Sequence, residues 1–280
     1  MDKMMKPTLG ADFRGPVSTA IFDWAGTVLD FGCIAPVRAF QEAFANAGIE
    51  ISEAEARAPM GAAKREHIAM ILRDGAVQSR WQSVKSAPSS EADIDALYAD
   101  FLKIDEVNCA KYSAMIPGAL EVMALLRARG IKIGSTTGYP RQVMDGLMPL
   151  AQAQGYVPDH CVTVSEAPRG RPYPDMVVMN ALALAAPDLR GCVVVDDSPT
   201  GLVSGRAAGM WAVGILASGN EIGLSLADWT ALPEPEKAAR RGVAEPVLRA
   251  AGAHYVIDTV ADLPEVIALI DAKLAEGVMP

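Results

Sequence analysis

Cysteine is scarce in this chain. There are four in 280 residues (Cys33, Cys109, Cys161 and Cys192), and no two form a CxxC pair. That speaks against a cysteine zinc site and a disulfide framework, and it points to reduced thiols in the cytoplasm. Positive charge is also short. The 25 Lys and Arg face 34 Asp and Glu, a formal net charge of −9. Such a surface is unsuited to a phosphate backbone, so no nucleic-acid partner is expected. An anionic small molecule would need a local cation. Long hydrophobic runs are missing as well: none reaches the ~18 apolar residues that cross a bilayer. The opening "MDKMMKPTLGADFRGP" has no apolar signal core. Neither a membrane nor export is expected. There is no internal repeat and no low-complexity tract.

What is present is a globular composition, 51% hydrophobic and 21% charged, long enough for one or two domains. Short β-rich runs stand at 17–24, 131–137, 160–164, 191–197, 211–216 and 254–259. They are rich in Val, Ile and Thr and are bounded by Gly, Pro or Asp. Helical patterns fall between the later ones, at 117–129, 140–153, 173–186, 199–208 and 261–275. Alternation of this kind predicts an α/β fold with a Rossmann-like parallel sheet. Residues 33–112 carry helical segments and no convincing strand, which predicts an inserted all-helical cap. The expected organisation is a tail over 1–16, a core over 17–32 and 113–280, and the cap over 33–112. The stretch 217–252 reads as a loop followed by a helix.

Ligands of open α/β sheets bind beyond the carboxyl ends of the strands. Asp23 ends the first strand, Thr137 the second, and Asp196 and Asp197 the fourth, with Arg171 in the loop "GRPYPD". A carboxylate can attack phosphorus. Clustered carboxylates need a cation, and oxygen ligands suit Mg²⁺. A hydroxyl and an arginine can hold the remaining phosphoryl oxygens. The pieces "DWAGT" (23–27), "STTG" (135–138), "GRPYPD" (170–175) and "VVVDDSPTG" (193–201) together resemble the haloacid dehalogenase superfamily.

Ala25 departs from the phosphatases of that superfamily. Two residues beyond the nucleophile they place an aspartate, which protonates the leaving oxygen. Ala25 offers only its backbone carbonyl, so the leaving group should need no oxygen protonation. Cleavage of a phosphorus–carbon bond meets that condition, because an adjacent imine can absorb the electrons as an enamine. That chemistry requires a lysine on the cap. "RAPMGAAKREHIAM" (57–70) supplies Lys64, with Met60 and His67 at i−4 and i+3 on one expected helix face. Lys64 must be neutral to attack a carbonyl, which an apolar pocket favours.

With these residues the chain resembles the phosphonatase family, the phosphonoacetaldehyde hydrolases. "FDWAGTVLDFGCIAP", "ARAPMGAAKREHI", "GIKIGSTTGYPRQVMD", "GRPYPDMV" and "AAGMWAVG" carry the likeness over about 17–270. The resemblance implies Asp23 as nucleophile and Lys64 as imine former. It implies Mg²⁺ held by Asp23, the Ala25 carbonyl and Asp197, with Asp196 close by. It implies Thr137 and Arg171 on the phosphonyl oxygens, and Cys33, Met60, His67 and Tyr139 around Lys64. It also implies a homodimer through the cap. One departure is local: the family often has Gly at position 196 and an acid at position 201, whereas this chain has Asp196 and Gly201. The other readings are a hydrolase of a related carbonyl phosphonate or phosphomonoester, and a non-catalytic phosphate-binding protein on the same fold.

Overall fold

The computed structural model describes residues 13–280; the first twelve residues of the expected tail lie outside them. Six strands form one sheet: β1 (Thr19–Phe22), β2 (Lys132–Thr137), β3 (His160–Thr163), β4 (Cys192–Asp196), β5 (Trp211–Ile215) and β6 (Tyr255–Ile257). Their order is β3-β2-β1-β4-β5-β6, and every pairing is parallel. β1, β4 and β5 are buried along their whole length, which is why they read as continuous apolar runs rather than alternating ones. All six strands were legible in the sequence.

The helical stretch consists of α1 (Ile34–Asn46), α2 (Glu53–Arg57), α3 (Lys64–Arg73), α4 (Gly75–Lys85) and α5 (Glu91–Lys111). Side-chain caps start three of these helices. Ser52 and Ser90 form capping boxes with Glu55 and Asp93, and Asp74 accepts the Ala76 and Val77 amides. An apolar cluster including Phe40, Phe44, Ile68, Trp81 and Phe101 fills this layer. The sheet and its flanking helices have their own cluster, which includes Phe22, Trp24, Val195 and Ile267. The two clusters meet at Leu102. Phe13 already packs into the sheet cluster, so buried packing begins before residue 17.

The remaining helices are α6 (Ala119–Ala128), α7 (Arg141–Ala153), α8 (Asp175–Ala183), α9 (Pro199–Ala207), α10 (Leu226–Ala231), α11 (Glu234–Ala250) and α12 (Leu263–Ala275). The short α10, capped by Ser225 through the Asp228 amide, interrupts the stretch expected to be loop before α11. No helix among the described residues is long and apolar enough to cross a membrane.

Candidate active site

The carboxyl ends of the three central strands converge. Asp23 follows β1, and its amide donates to the Val195 carbonyl of β4 at 3.0 Å, which fixes the chain as it leaves the sheet. The turn then passes through Gly26 at φ +77, where a Cβ would meet Asp197 Oδ2 at 2.3 Å. "DWAGT" therefore needs glycine at its fourth position for both conformation and space. Ser218 Oγ donates to the Gly26 carbonyl at 2.7 Å and braces the turn.

Asp23, Asp196 and Asp197 are all buried, and each offers an oxygen within 4.8 Å of the others. Arg171 lies among them. Its Nη2 donates to Asp23 Oδ1 at 2.7 Å and to Thr136 Oγ1 at 2.8 Å, and it stands 3.0 Å from Asp196 Oδ2. One guanidinium thus faces three carboxylates. Burial, followed by the charges of Asp23 and Asp196, drives the Asp197 carboxyl well above the usual range. Burial raises Asp196 to about 6, against the pull of Arg171. This undercompensated, all-oxygen set fits a hard divalent cation.

Asp196 also shows how the chain absorbs its departure at position 201. The Asp196 carboxylate accepts from the Ser198 amide at 2.9 Å and the Ser198 hydroxyl at 2.7 Å. A Cβ at Gly201 would come within 1.9 Å of Asp196 Oδ2. The carboxylate of residue 196 thus occupies the space beside residue 201, and the missing side chain there makes room for it.

Lys64 is the first residue of α3, and it is only 5% exposed. Its Nζ lies 4.0 Å from Met60 Sδ, 4.8 Å from the Tyr139 ring centre and 5.6 Å from that of Phe40. These soft, aromatic neighbours contact the amine without neutralising it. A cavity of about 20 Å³ separates cap from sheet, and its lining includes Asp23, Ala25, Lys64, Thr137, Arg171 and Asp197. Cys33, Met60 and Tyr139 also line it. Cys33 Sγ donates to Asp197 Oδ2 at 3.1 Å. Thr137 Oγ1 accepts the Tyr139 amide at 3.1 Å, which leaves its own hydroxyl proton for a ligand.

Two expectations need correction. Met60 precedes α3, in the turn after α2, so it reaches Lys64 from a loop rather than along a shared helix face. His67 does not line the cavity. Its ring stacks on Phe40 with centroids 3.9 Å apart, and Nε2 donates to the Ala56 carbonyl at 2.8 Å. Burial and then the charge of Lys64 hold His67 well below its ordinary pKa, so it sits neutral behind the lysine. The i, i+3 spacing placed it next to Lys64 in sequence but could not say which side of the amine it occupies.

Thr136 was missed: its hydroxyl accepts Arg171, a role hidden by its place beside the more obvious Thr137. Asp105 was missed as well. It is fully buried on α5, and the field of Lys64 reaches it. Its signal was present, because Ile94, Leu97, Phe101, Asp105 and Cys109 form one buried stripe at helical spacing.

A carboxylate cluster at the ends of parallel strands, under a helical cap, defines a haloacid dehalogenase-like hydrolase, and the model of that family matches residues 17–209. The phosphonoacetaldehyde hydrolase of Hahella chejuensis is 48% identical over 265 residues, covering 95% of this chain and 90% of the relative. That of Klebsiella pneumoniae is 49% identical over 266 residues, covering 94% and 99%. A crystal structure of a phosphonoacetaldehyde hydrolase-like protein from Oleispira antarctica superposes with a TM-score of 0.95 at 45% identity, covering 99% of this chain and all of that one. The chain belongs to the phosphonoacetaldehyde hydrolase family.

Proposed function

We propose that this protein hydrolyses the P–C bond of phosphonoacetaldehyde to acetaldehyde and phosphate. The observation that carries the reading is the shared cavity: a buried lysine and a buried aspartate face one small space, and the residue two beyond that aspartate is alanine. An acid at position 25 would serve an oxygen leaving group; a lysine serves a carbon one.

The Lys64 amine adds to the aldehyde carbon and, with loss of water, forms a protonated imine. The Asp23 carboxylate then attacks phosphorus. The P–C electron pair passes into the imine, giving an enamine on Lys64 and an acyl phosphate on Asp23. Protonation of the enamine carbon and hydrolysis of the imine release acetaldehyde. Water hydrolyses the acyl phosphate and returns Asp23. Arg171 and the Thr137 hydroxyl hold the phosphonyl oxygens, and the planar guanidinium fork suits that group. Asp23, Asp197 and the Ala25 carbonyl would hold Mg²⁺, which offsets the repulsion between an anionic nucleophile and an anionic substrate. Tyr139, Met60 and Phe40 keep water from the lysine.

The cavity of about 20 Å³ has room for roughly one water molecule. Substrate must therefore enter with the cap swung away, and the arrangement described here is the closed one. The cap over 33–112 is the moving part in this reading. The protein is taken to work in the cytoplasm, and as a homodimer through its cap. Light scattering should then give twice the 29.5 kDa of one chain, and a monomer would remove that part of the reading.

The enzymatic test is product stoichiometry. Phosphonoacetaldehyde should yield phosphate and acetaldehyde in equal amounts, with turnover abolished by a chelator and restored by Mg²⁺. Release of phosphate from simple phosphomonoesters, with none from the phosphonate, would favour the phosphatase alternative instead.

A further inference from the structure

Cap and core are also joined by contacts that the chemistry above does not use, and several converge on Arg57, the last residue of α2. Its Nη1 donates to the Gly32 carbonyl at 2.8 Å and to Asn220 Oδ1 at 3.3 Å. Its Nη2 donates to the Gly223 carbonyl at 2.9 Å. Glu53, one turn earlier, accepts its Nε at 2.8 Å and sets the direction of the fork. Asn220 answers in kind, with Nδ2 donating to the Arg57 carbonyl at 3.4 Å. The Asn220 amide in turn donates to Asp197 Oδ2 at 2.8 Å. A single side chain, 12% exposed, therefore ties α2 to the crossing at Gly32 and to the core loop that braces Asp197.

A cavity of about 470 Å³ runs alongside, lined by Arg57, Asp30, Phe31, Gly223 and Leu224 among others. The Arg57 hydrogen bonds thus link cap and core at the edge of this cavity. Residues 58–63 separate Arg57 from Lys64, so the position of one sets the reach of the other.

We propose that Arg57 is a positioning residue that latches the cap shut over Asp23 and couples closure to the Asp197 carboxylate. The inference rests on the reading of the site as a phosphonoacetaldehyde hydrolase whose lysine is carried by the cap. In the open form the guanidinium would be hydrated and the Asn220 loop would lose its cap-side partner. Closure would restore both in one movement. Lysine cannot substitute well, because one ammonium cannot reach three acceptors arranged for a planar fork.

The test compares the full-length wild type with Arg57→Ala and Arg57→Lys. Steady-state kinetics, small-angle scattering and Mg²⁺ calorimetry would be measured on each. With a weakened latch, substrate must pull a larger open fraction closed, so Arg57→Ala should raise KM by at least about tenfold, with a smaller fall in kcat. Its radius of gyration should increase and its Mg²⁺ affinity should fall. Arg57→Lys should recover only part of each, and it carries the comparison alone if the alanine variant does not fold. Wild-type KM and an unchanged radius of gyration in the variants would overturn the latch, as would a loss confined to kcat. A wild type that releases no phosphate from phosphonoacetaldehyde would instead overturn the underlying reading, while the scattering comparison would still judge the latch.

Discussion

Asp196 and Gly201 are two halves of one substitution. The carboxylate at 196 fills the space a side chain at 201 would need, and it gives Arg171 a second anionic contact at 3.0 Å. Gly201→Ala should therefore push Asp196 off the Ser198 hydroxyl and Arg171. A displaced buried carboxylate costs about 1–3 kcal/mol in lost hydrogen bonding, so melting temperature should fall measurably. Asp196→Gly combined with Gly201→Asp should recover more than either single change, and simple additivity in that cycle would contradict the pairing. The acid count at this strand end was legible in the sequence. The compensation was not, because it depends on a through-space approach between residues five apart. The positions of Asp23, after β1, and Thr137, at the end of β2, could be read from the strand pattern and its short motifs, whereas Arg171 comes from the loop beyond β3. His67 was misplaced because helical spacing gives a face, not what lies in front of it.

At the level of elements, α5 carries the cost of a buried carboxyl. Asp105 lies on its buried stripe, and burial raises the carboxyl to about 7, with Lys64 and the Cys109 thiol partly opposing the rise. The ordinary value is 3.8. Between pH 4 and 7 the unfolded chain has released this proton while the folded chain keeps it. The Asp105 contribution to stability is therefore complete below about pH 4 and is lost as pH rises toward 7. Asp105→Asn should raise the melting temperature by an amount that grows across that interval and then levels off. A gain independent of pH would contradict the assignment. The strands and most helices were readable because their periodicities are local. The Asp105 position was passed over because α5 is rich in acids, and one acid on the apolar stripe is easily lost among many on the solvent side. The short α10 was missed because six residues give too little periodicity to separate helix from loop.

At the scale of the whole molecule, the proposed reaction is divided between the sheet and the helical cap. In the proposed mechanism the sheet holds the nucleophile, the carboxylates that would bind the metal and the phosphonyl clamp. The cap carries a lysine buried among Met60, Phe40 and Tyr139. On that reading neither half would cleave a P–C bond alone, since one lacks an electron sink and the other lacks a site for phosphorus. In the proposed reading, Ala25 is where that division shows in the sequence, because the leaving group is served by Lys64 on the cap rather than by an acid at position 25. The direct measurement of that claim is borohydride reduction of the enzyme with phosphonoacetaldehyde, followed by peptide mass mapping. The account expects one reduced adduct, located on Lys64, absent in Lys64→Arg and accompanied there by loss of turnover. An unmodified Lys64, or a Lys64→Arg variant that still cleaves the phosphonate at the wild-type rate, would contradict it.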